Sequence, residues 1–381
     1  MESFLFLQMD VLIVGAGLSG ATLAERFASK GYSVTVIEQR NHVGGNIYDY
    51  TDELTGIRMN KYGAHLFHTN DEIVWNYIQA FATWIRWDHK VLARIDTTTY
   101  VPIPVNANTV NQLCGANIKS EEDMIRWLNT VQVPPPSMGC PSNSEEMALS
   151  RVGKDLYESL FLPYTIKQWN KHPNELDPSV LARIPIRTSF DDRYFDDKYQ
   201  ALPRDGYTNF VERLLNHPNI SIKLNTSYDK HHMKPTKYLI YTGPIDSYFE
   251  DLPKLEYRSL AFTKVYKQCE GTILPCSVVN EPSSRFPYTR TVEYKHFLHQ
   301  HSPYTVLVHE TSTDHGEPYY PVPTPENQRL YDRYKEHASL YSKTAEGATI
   351  HFVGRLANYK YMNMDETIRT ALTLFDSLKI E

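Results

Sequence analysis

Three glycines, Gly15, Gly17 and Gly20, stand in a GxGxxG spacing between the apolar run "VLIV" and the helical pattern "ATLAERFASKG". In that setting the first glycine permits a tight turn and the second lets backbone approach a pyrophosphate. The third brings the helix against the sheet. The amides at the helix start then face phosphate oxygens. Glu38 closes the next apolar run, "YSVTVIE", where its carboxylate can accept hydrogen bonds from an adenosine ribose. Arg40, Gly44, Gly45 and Asn46 follow at once in "EQRNHVGGN". A double glycine there leaves room for a long, extended cofactor to lie close to the backbone.

Other residues invite chemistry less directly. His65 and His68 are three apart in "GAHLFH", a spacing that suggests a metal, but no third ligand is evident and no metal is expected. Asp191, Asp192, Asp196 and Asp197 flank aromatics in "FDDRYFDDKY". Paired carboxylates suit glycosidases or divalent cations, yet a structural or solvated role is the expectation here. Arg183 in "LARIP" and Arg290 in "YTR" carry forks that suit phosphate oxygens, and equally suit surface ion pairs. Tyr164 and Trp169 are spaced for one helix end, where aromatics commonly serve a core. The four cysteines show neither metal-ligand spacing nor a disulfide framework, which favours a reducing compartment.

The elements that must position these residues follow from pattern. Strand, glycine turn, helix and strand over the first forty residues form one βαβ unit. Helical patterns follow in "DEIVWNYIQAFATWI", "SEEDMIRWLNTV" and "EEMALSRVGKDLYESLFLPYTIKQWN", with "VPPPSMGCPS" as loop. Strand-like runs then dominate, among them "YQALPR", "ISIKLN", "KYLIYTG", "RSLAFTKVYK", "TRTVEYKHF" and "YTVLVHE". The expectation is an α/β protein with a Rossmann-like dinucleotide domain beginning at 9–80. A helical insertion at 81–190 comes next. A mainly antiparallel sheet with return segments to the first domain occupies 191–330, and the last segment of the dinucleotide domain is 331–381. Net charge is -6, without a basic stripe, so nucleic acid is not an expected partner. No run nears the roughly 20 apolar residues of a membrane span. "MESFLFLQM" lacks a basic start, so it is not read as a signal peptide, and a cytoplasmic protein is expected.

The double glycine, with "HFVGR" (351–355) near the far end, resembles the FAD-binding fold of the glutathione reductase and amine oxidase type. That resemblance implies FAD, with Gly354 admitting the cofactor and Arg355 meeting its pyrophosphate. A narrower likeness rests on "YGAHLFHT" (62–69), "YTIKQW" (164–169), "LARIPIR" (181–187), "DDRYF" (191–195), "PYTR" (287–290), "PYYP" (318–321) and "GRLANYKYMNMD" (354–365). These resemble, in order, the bacterial-type UDP-galactopyranose mutase family. The resemblance implies interconversion of UDP-galactopyranose and UDP-galactofuranose on reduced FAD, whose N5 attacks the anomeric carbon with no net redox change. It also implies a reductant such as NAD(P)H and a homodimer. Arg183 and Arg290 would grip the diphosphate, with Arg183 on a mobile segment. Tyr164 would stack on uridine, with Trp169 at the pocket mouth and Asn280 on the uracil side. Tyr194 and Phe195 would shape the sugar and nucleotide pocket, and Tyr320 and Tyr361 would reach the diphosphate. His68 would lie near the flavin and a sugar hydroxyl. His65, Met362, Asn363 and Met364 would lie on the cofactor side. Ala64, His89, Lys90, Leu160 and Asn363 depart from the family pattern, which leaves room for a variant nucleotide sugar. Two other functions compete: a flavin oxidoreductase of the amine oxidase type, and a UDP-sugar-binding flavoprotein without catalysis.

Overall fold

The protein is described from a computed structural model over residues 9–136 and 139–380. All but Met9 of the opening segment considered as a signal, and two residues of the proline-rich loop, lie outside the described residues.

Val11–Val14 is buried almost throughout, as a central parallel strand requires. It pairs in parallel with Val34–Ile37 on one side and Tyr238–Tyr241 on the other. Ile220–Lys223 and Thr349–Phe352 complete this five-stranded parallel sheet. "ISIKLN" and "KYLIYTG" therefore supply return segments. The helix Leu18–Ser29 buries Leu23, Ala24 and Phe27 completely. Phe27 meets Phe375 of the last helix, Met364–Ser377, edge to face at 5.2 Å. Both ends of the chain thus build one dinucleotide domain.

A seven-stranded sheet forms the second layer. Its order is Tyr320–Pro321, Tyr257–Gln268, Tyr304–Thr313, Arg290–Glu293, Val278–Asn280, Val91–Arg94, Tyr100–Ile103. Its pairings are antiparallel except that Val278–Asn280 runs parallel to Val91–Arg94, so the sheet is mixed. The segment expected as a helical insertion at 81–190 is helical only from Ala107 onward. Its first part supplies strands Trp84–Arg86, Val91–Arg94 and Tyr100–Ile103. The reason is visible in "VLAR", where buried and half-buried residues alternate with period two. Later helices include Ala107–Cys114, Glu121–Val131, Ser144–Leu156 and Leu162–Trp169. A small antiparallel sheet of Phe67–Thr69, Tyr199–Pro203 and Trp84–Arg86 joins the layers and carries His68.

Candidate active site

The cradle near the first helix is made of backbone. Gly15 donates its amide to Ile37 O at 2.8 Å. Gly17 caps the helix without a side chain, so the first-turn amides have no intrahelical acceptors and carry the positive end of the dipole. The double glycine lies directly beside them. Gly44 donates to Ala16 O at 2.9 Å, and Gly45 sits at φ +54°. A Cβ on Gly45 would meet Gly17 Cα at 2.9 Å. Buried Glu38 ties the two loops, accepting from Ala16 N and Arg40 N, each at 2.9 Å. Each of its oxygens keeps a lone pair for a ribose hydroxyl. A cleft that any Cβ would fill, next to unpaired amides, fits a dinucleotide pyrophosphate.

The other expected cofactor-side residues are placed around this cradle with partners of their own. Arg40 lies over the Tyr62 ring at 4.2 Å, donates to Asn46 Oδ1 at 3.0 Å and pairs with Glu317. Gly354 packs against Ser19 of the first helix. Arg355 donates to Met362 O at 2.6 Å, folding the 354–364 segment back on itself. Met362 and Met364 are buried. Asn363 caps the last helix in a capping box with Glu366. Asparagine and aspartate cap equally well, so this departure keeps the helix start intact.

A second cluster lies on the mixed sheet. Asn280 on one strand, Arg290 on the next and Glu310 on the third are direct partners across the ladder. Directly opposed residues share a face, so the three form a row. Arg290 Nε donates to Glu310, which is fully buried. Arg183 reaches the same place from the end of the short helix Ser179–Ala182, with its guanidinium 4.5 Å over the Tyr361 ring. Arg355 lies 5.0 Å from the same ring. Tyr361 stacks with Tyr320 at 6.0 Å, and Tyr320 meets Trp169 edge-on at 6.4 Å. Burial alone would raise the Tyr361 phenol, but Arg183, Arg355 and Arg290 together hold it below its ordinary value. Tyr164 is pushed up to about 12 by burial and stays a neutral hydroxyl. Three guanidiniums gathered around Tyr361, beside Tyr320, can hold two phosphates, and the tyrosine rings can stack a base. Arg183 is solvent-exposed while Trp169 is buried, so this face opens on water.

Three histidines border the cluster. His65 is held neutral at about 4, by burial first and then by Arg355 and Arg290. His68 donates at Nδ1 to Asp197 Oδ2 at 2.9 Å and stacks on Phe195 at 3.7 Å. Phe195 meets Tyr194 edge-on at 4.9 Å. His89 lies beyond Phe195 at 6.0 Å, and its Nδ1 is buried without a hydrogen-bond partner among the described residues. Burial lowers His89 to about 3, with Arg290 and His68 pushing the same way. Among the described residues no three side chains form a metal cage. A half-open cavity of about 220 Å³ adjoins this region through His65, lined also by Asn60, Arg204, Tyr207, Tyr294 and Phe297. Neither Arg183 nor Arg290 lines it, so it is separate from the open arginine cluster.

Sequence reasoning missed Glu310, treated His89 only as a departure and expected only a structural or solvated role for Asp197. It also missed Lys167, whose ammonium donates to the carbonyls of Glu281, Ser283, Phe286 and Tyr288. That clasp ties the helix bearing Tyr164 and Trp169 to the loop between Asn280 and Arg290. Of the remaining acidic pairs, Asp191 pairs with Arg193, Asp196 with Arg187, and Asp192 accepts from Asn106 and Asn108. Of the other departures, Leu160 is core, Lys90 is exposed beside its bridge partner Arg193, and Ala64 is half-buried.

Comparison with known proteins fits this geometry. Residues 13–81 match a profile described as an NAD(P)-binding Rossmann-like domain, and residues 159–361 match one described as UDP-galactopyranose mutase. A probable UDP-galactopyranose mutase of Klebsiella pneumoniae is 37% identical, covering 96% of this chain and 94% of that protein. A dTDP-fucopyranose mutase of Escherichia coli is 36% identical, covering 95% and 96%. A crystal structure of reduced UDP-galactopyranose mutase superimposes with a TM-score of 0.77 over 98% of this chain and 96% of that one, at 15% identity. A putative protoporphyrinogen oxidase from Exiguobacterium does so at 0.67, over 97% and 98%, also at 15%, so the fold alone does not choose a reaction. The family together with the dinucleotide domain implies a flavin cofactor. Among the described residues no helix is long and apolar enough to cross a membrane. The long sequence matches decide the assignment: this chain belongs to the UDP-galactopyranose mutase family of isomerases.

Proposed function

We propose that this chain interconverts UDP-galactopyranose and UDP-galactofuranose, with FAD in the cradle of Gly15, Gly17, Gly20, Glu38 and Gly45. Reduced FAD would supply an electron-rich N5 that acts as nucleophile at the anomeric carbon, with no net redox change. The protein's share is placement and charge. Arg183 and Arg290 hold the diphosphate and stabilise it as it leaves. Tyr164, Trp169 and Asn280 hold the uridine, Tyr320 and Tyr361 reach the diphosphate, and Tyr194 and Phe195 bound the sugar. Restraining nucleotide and hexose together makes the displacement effectively unimolecular. His68 and His89 face the hexose side. Gly354, Arg40, Asn46, His65, Arg355, Met362, Asn363 and Met364 surround the cofactor, with Arg355 shared between it and the diphosphate.

One observation carries this reading: Arg183 and Arg355 both lie within 5.0 Å of the Tyr361 ring, next to Tyr320, on the segment that returns to the dinucleotide cradle. An oxidase acting on an uncharged substrate has no use for such a clamp. A reductant such as NAD(P)H and a homodimer belong to the same reading and rest on the family likeness; a cytoplasmic location rests on the sequence pattern. The test is direct. The purified protein should show a flavin spectrum and convert UDP-galactofuranose to UDP-galactopyranose after dithionite reduction, without consuming further reductant. No conversion under reducing conditions refutes the proposal. Stoichiometric flavin reduction by a substrate would favour the oxidoreductase reading instead. The likeness to a dTDP-fucopyranose mutase at nearly equal identity supports a second substrate pair. Running dTDP-fucofuranose in parallel decides between them by kcat/KM.

A further inference from the structure

His68 sits in the middle of the short strand Phe67–Thr69, and Gln200 is its direct partner on the neighbouring strand. Gln200 is buried and donates to two carbonyls of the preceding loop, Phe195 O at 3.2 Å and Asp197 O at 2.9 Å. Those two residues are the ones that touch His68. The Phe195 ring lies parallel to the imidazole, 3.7 Å away and tilted by 14°. The Asp197 carboxylate meets Nδ1 at 2.9 Å, and its other oxygen accepts from Asn70 Nδ2 at 3.2 Å. The stack fixes the plane of the ring and the carboxylate fixes its rotation. In a neutral imidazole a carboxylate at Nδ1 also places the proton on Nδ1, leaving Nε2 as an acceptor.

We propose that Asp197 and Gln200 are positioning residues that hold His68 as the Nδ1–H tautomer, with Nε2 presented to a hexose hydroxyl. The proposal rests on the mutase reading for the identity of the ligand, but the dyad itself is a property of this chain. It gives Asp197 a task that its place among four closely spaced aspartates conceals. The other titratable groups around the ring are His89, beyond Phe195, and Asp365 at the start of the last helix. Neither is hydrogen-bonded to His68, so tautomer control falls to Asp197.

The test combines kinetics and spectroscopy on the FAD-loaded enzyme. Asp197→Asn should lower kcat by about 10–100-fold, the range seen when a carboxylate orienting a metal-bound histidine is lost. KM for UDP-galactofuranose and FAD content should stay within about twofold. In a His68→Asn background the same change should cost nothing further, because the carboxylate acts through the ring. In 15N-histidine-labelled wild-type protein, with His68 assigned from the His68→Asn spectrum, nitrogen shifts should report the Nδ1–H tautomer, and Asp197→Asn should alter them. Unchanged kcat in Asp197→Asn, losses that add in the double variant, or an Nε2–H tautomer in wild type would each overturn the proposal. A wild-type protein with no mutase activity would instead sink the functional reading, and the tautomer measurement would still decide the dyad.

Discussion

Substituting Gly45 by alanine tests whether the two glycine loops together make the cofactor cradle. Gly45 has φ +54°, and a left-handed conformation costs a residue with a Cβ roughly 1–2 kcal/mol. The added Cβ would also lie 2.9 Å from Gly17 Cα, a backbone atom of the first helix's cap. Overpacking of this kind costs about 1–3 kcal/mol. The loop can relieve it only by moving away from Gly17, which widens the gap where the pyrophosphate is proposed to lie. Gly56 provides the control. It has φ +69° and nothing within 4 Å of its would-be Cβ, so Gly56→Ala incurs the backbone term alone. Deflavinated protein would be titrated with FAD by fluorescence quenching, and each apoprotein melted separately. Both variants should lose roughly 1–2 kcal/mol of stability from the shared backbone term. Only Gly45→Ala should weaken FAD, by about 5–150-fold, since each 1.4 kcal/mol is a factor of ten. An unchanged FAD affinity in Gly45→Ala would refute the idea that this contact shapes the cradle.

Three further outcomes follow from buried polar groups. Glu310→Gln removes the charge that holds Arg290; a hydrogen bond between ionised groups is worth about 1.5–3 kcal/mol, so kcat/KM should fall about 10- to 100-fold with FAD content unchanged. His89 is buried with its folded pKa near 3, below the unfolded value, so it adds stability at neutral pH that is lost as pH falls below about 6.5. His89→Asn should therefore flatten the acid side of the stability curve, removing about 2 kcal/mol of the difference between pH 7 and pH 5 in urea unfolding. Its surroundings are Arg290, His68, Tyr194, Phe195 and Phe297, none of them an anion that would offset this. Lys167→Met strands four carbonyls and leaves the buried Glu281 carboxylate with Arg94 and the Thr291 hydroxyl, so it should lower the melting temperature and raise KM for the nucleotide sugar together.

The dinucleotide cradle was legible because all its parts lie within one short βαβ unit. Strand, glycine turn, helix and Glu38 are contiguous, so local pattern dictated the turn and its electrostatics. The paired glycine at 44–45 was legible as well, although its contact with Gly17 was not, since that needs the fold of the loop. The arginine cluster is different. Arg183, Arg290, Arg355 and Tyr361 are distant in sequence, and no spacing rule brings them together. The family likeness drew attention to these residues, and the sheet and the returning segment supply the geometry.

Two of the residues that escaped notice, Glu310 and His89, share one physical cause, which is strand phase. In "YTVLVHETST" Val306, Val308 and Glu310 are all buried, while Leu307, His309 and Thr311 are half-buried. Glu310 therefore occupies an apolar phase, and a carboxylate there needs a buried cation. That mismatch was readable without a structure, and it points straight at an arginine. His89 obeys the same rule, in phase with buried Val91 and Ala93, and Ala93 is the ladder partner of Asn280. Reading 81–190 as a helical insertion hid it, because helical spacing puts residue 91 on the opposite face from 89 and 93. With the strand period applied, His89 falls on the face that carries Asn280, Arg290 and Glu310, and its departure from the family pattern becomes a change within the proposed hexose pocket. With the arginine clamp kept, the replaced residue falls on the proposed sugar side and not on the proposed nucleotide side. Substrate preference measured in His89→Asn should then shift between hexoses at constant affinity for free UDP, and a proportional change in both would refute that division of labour.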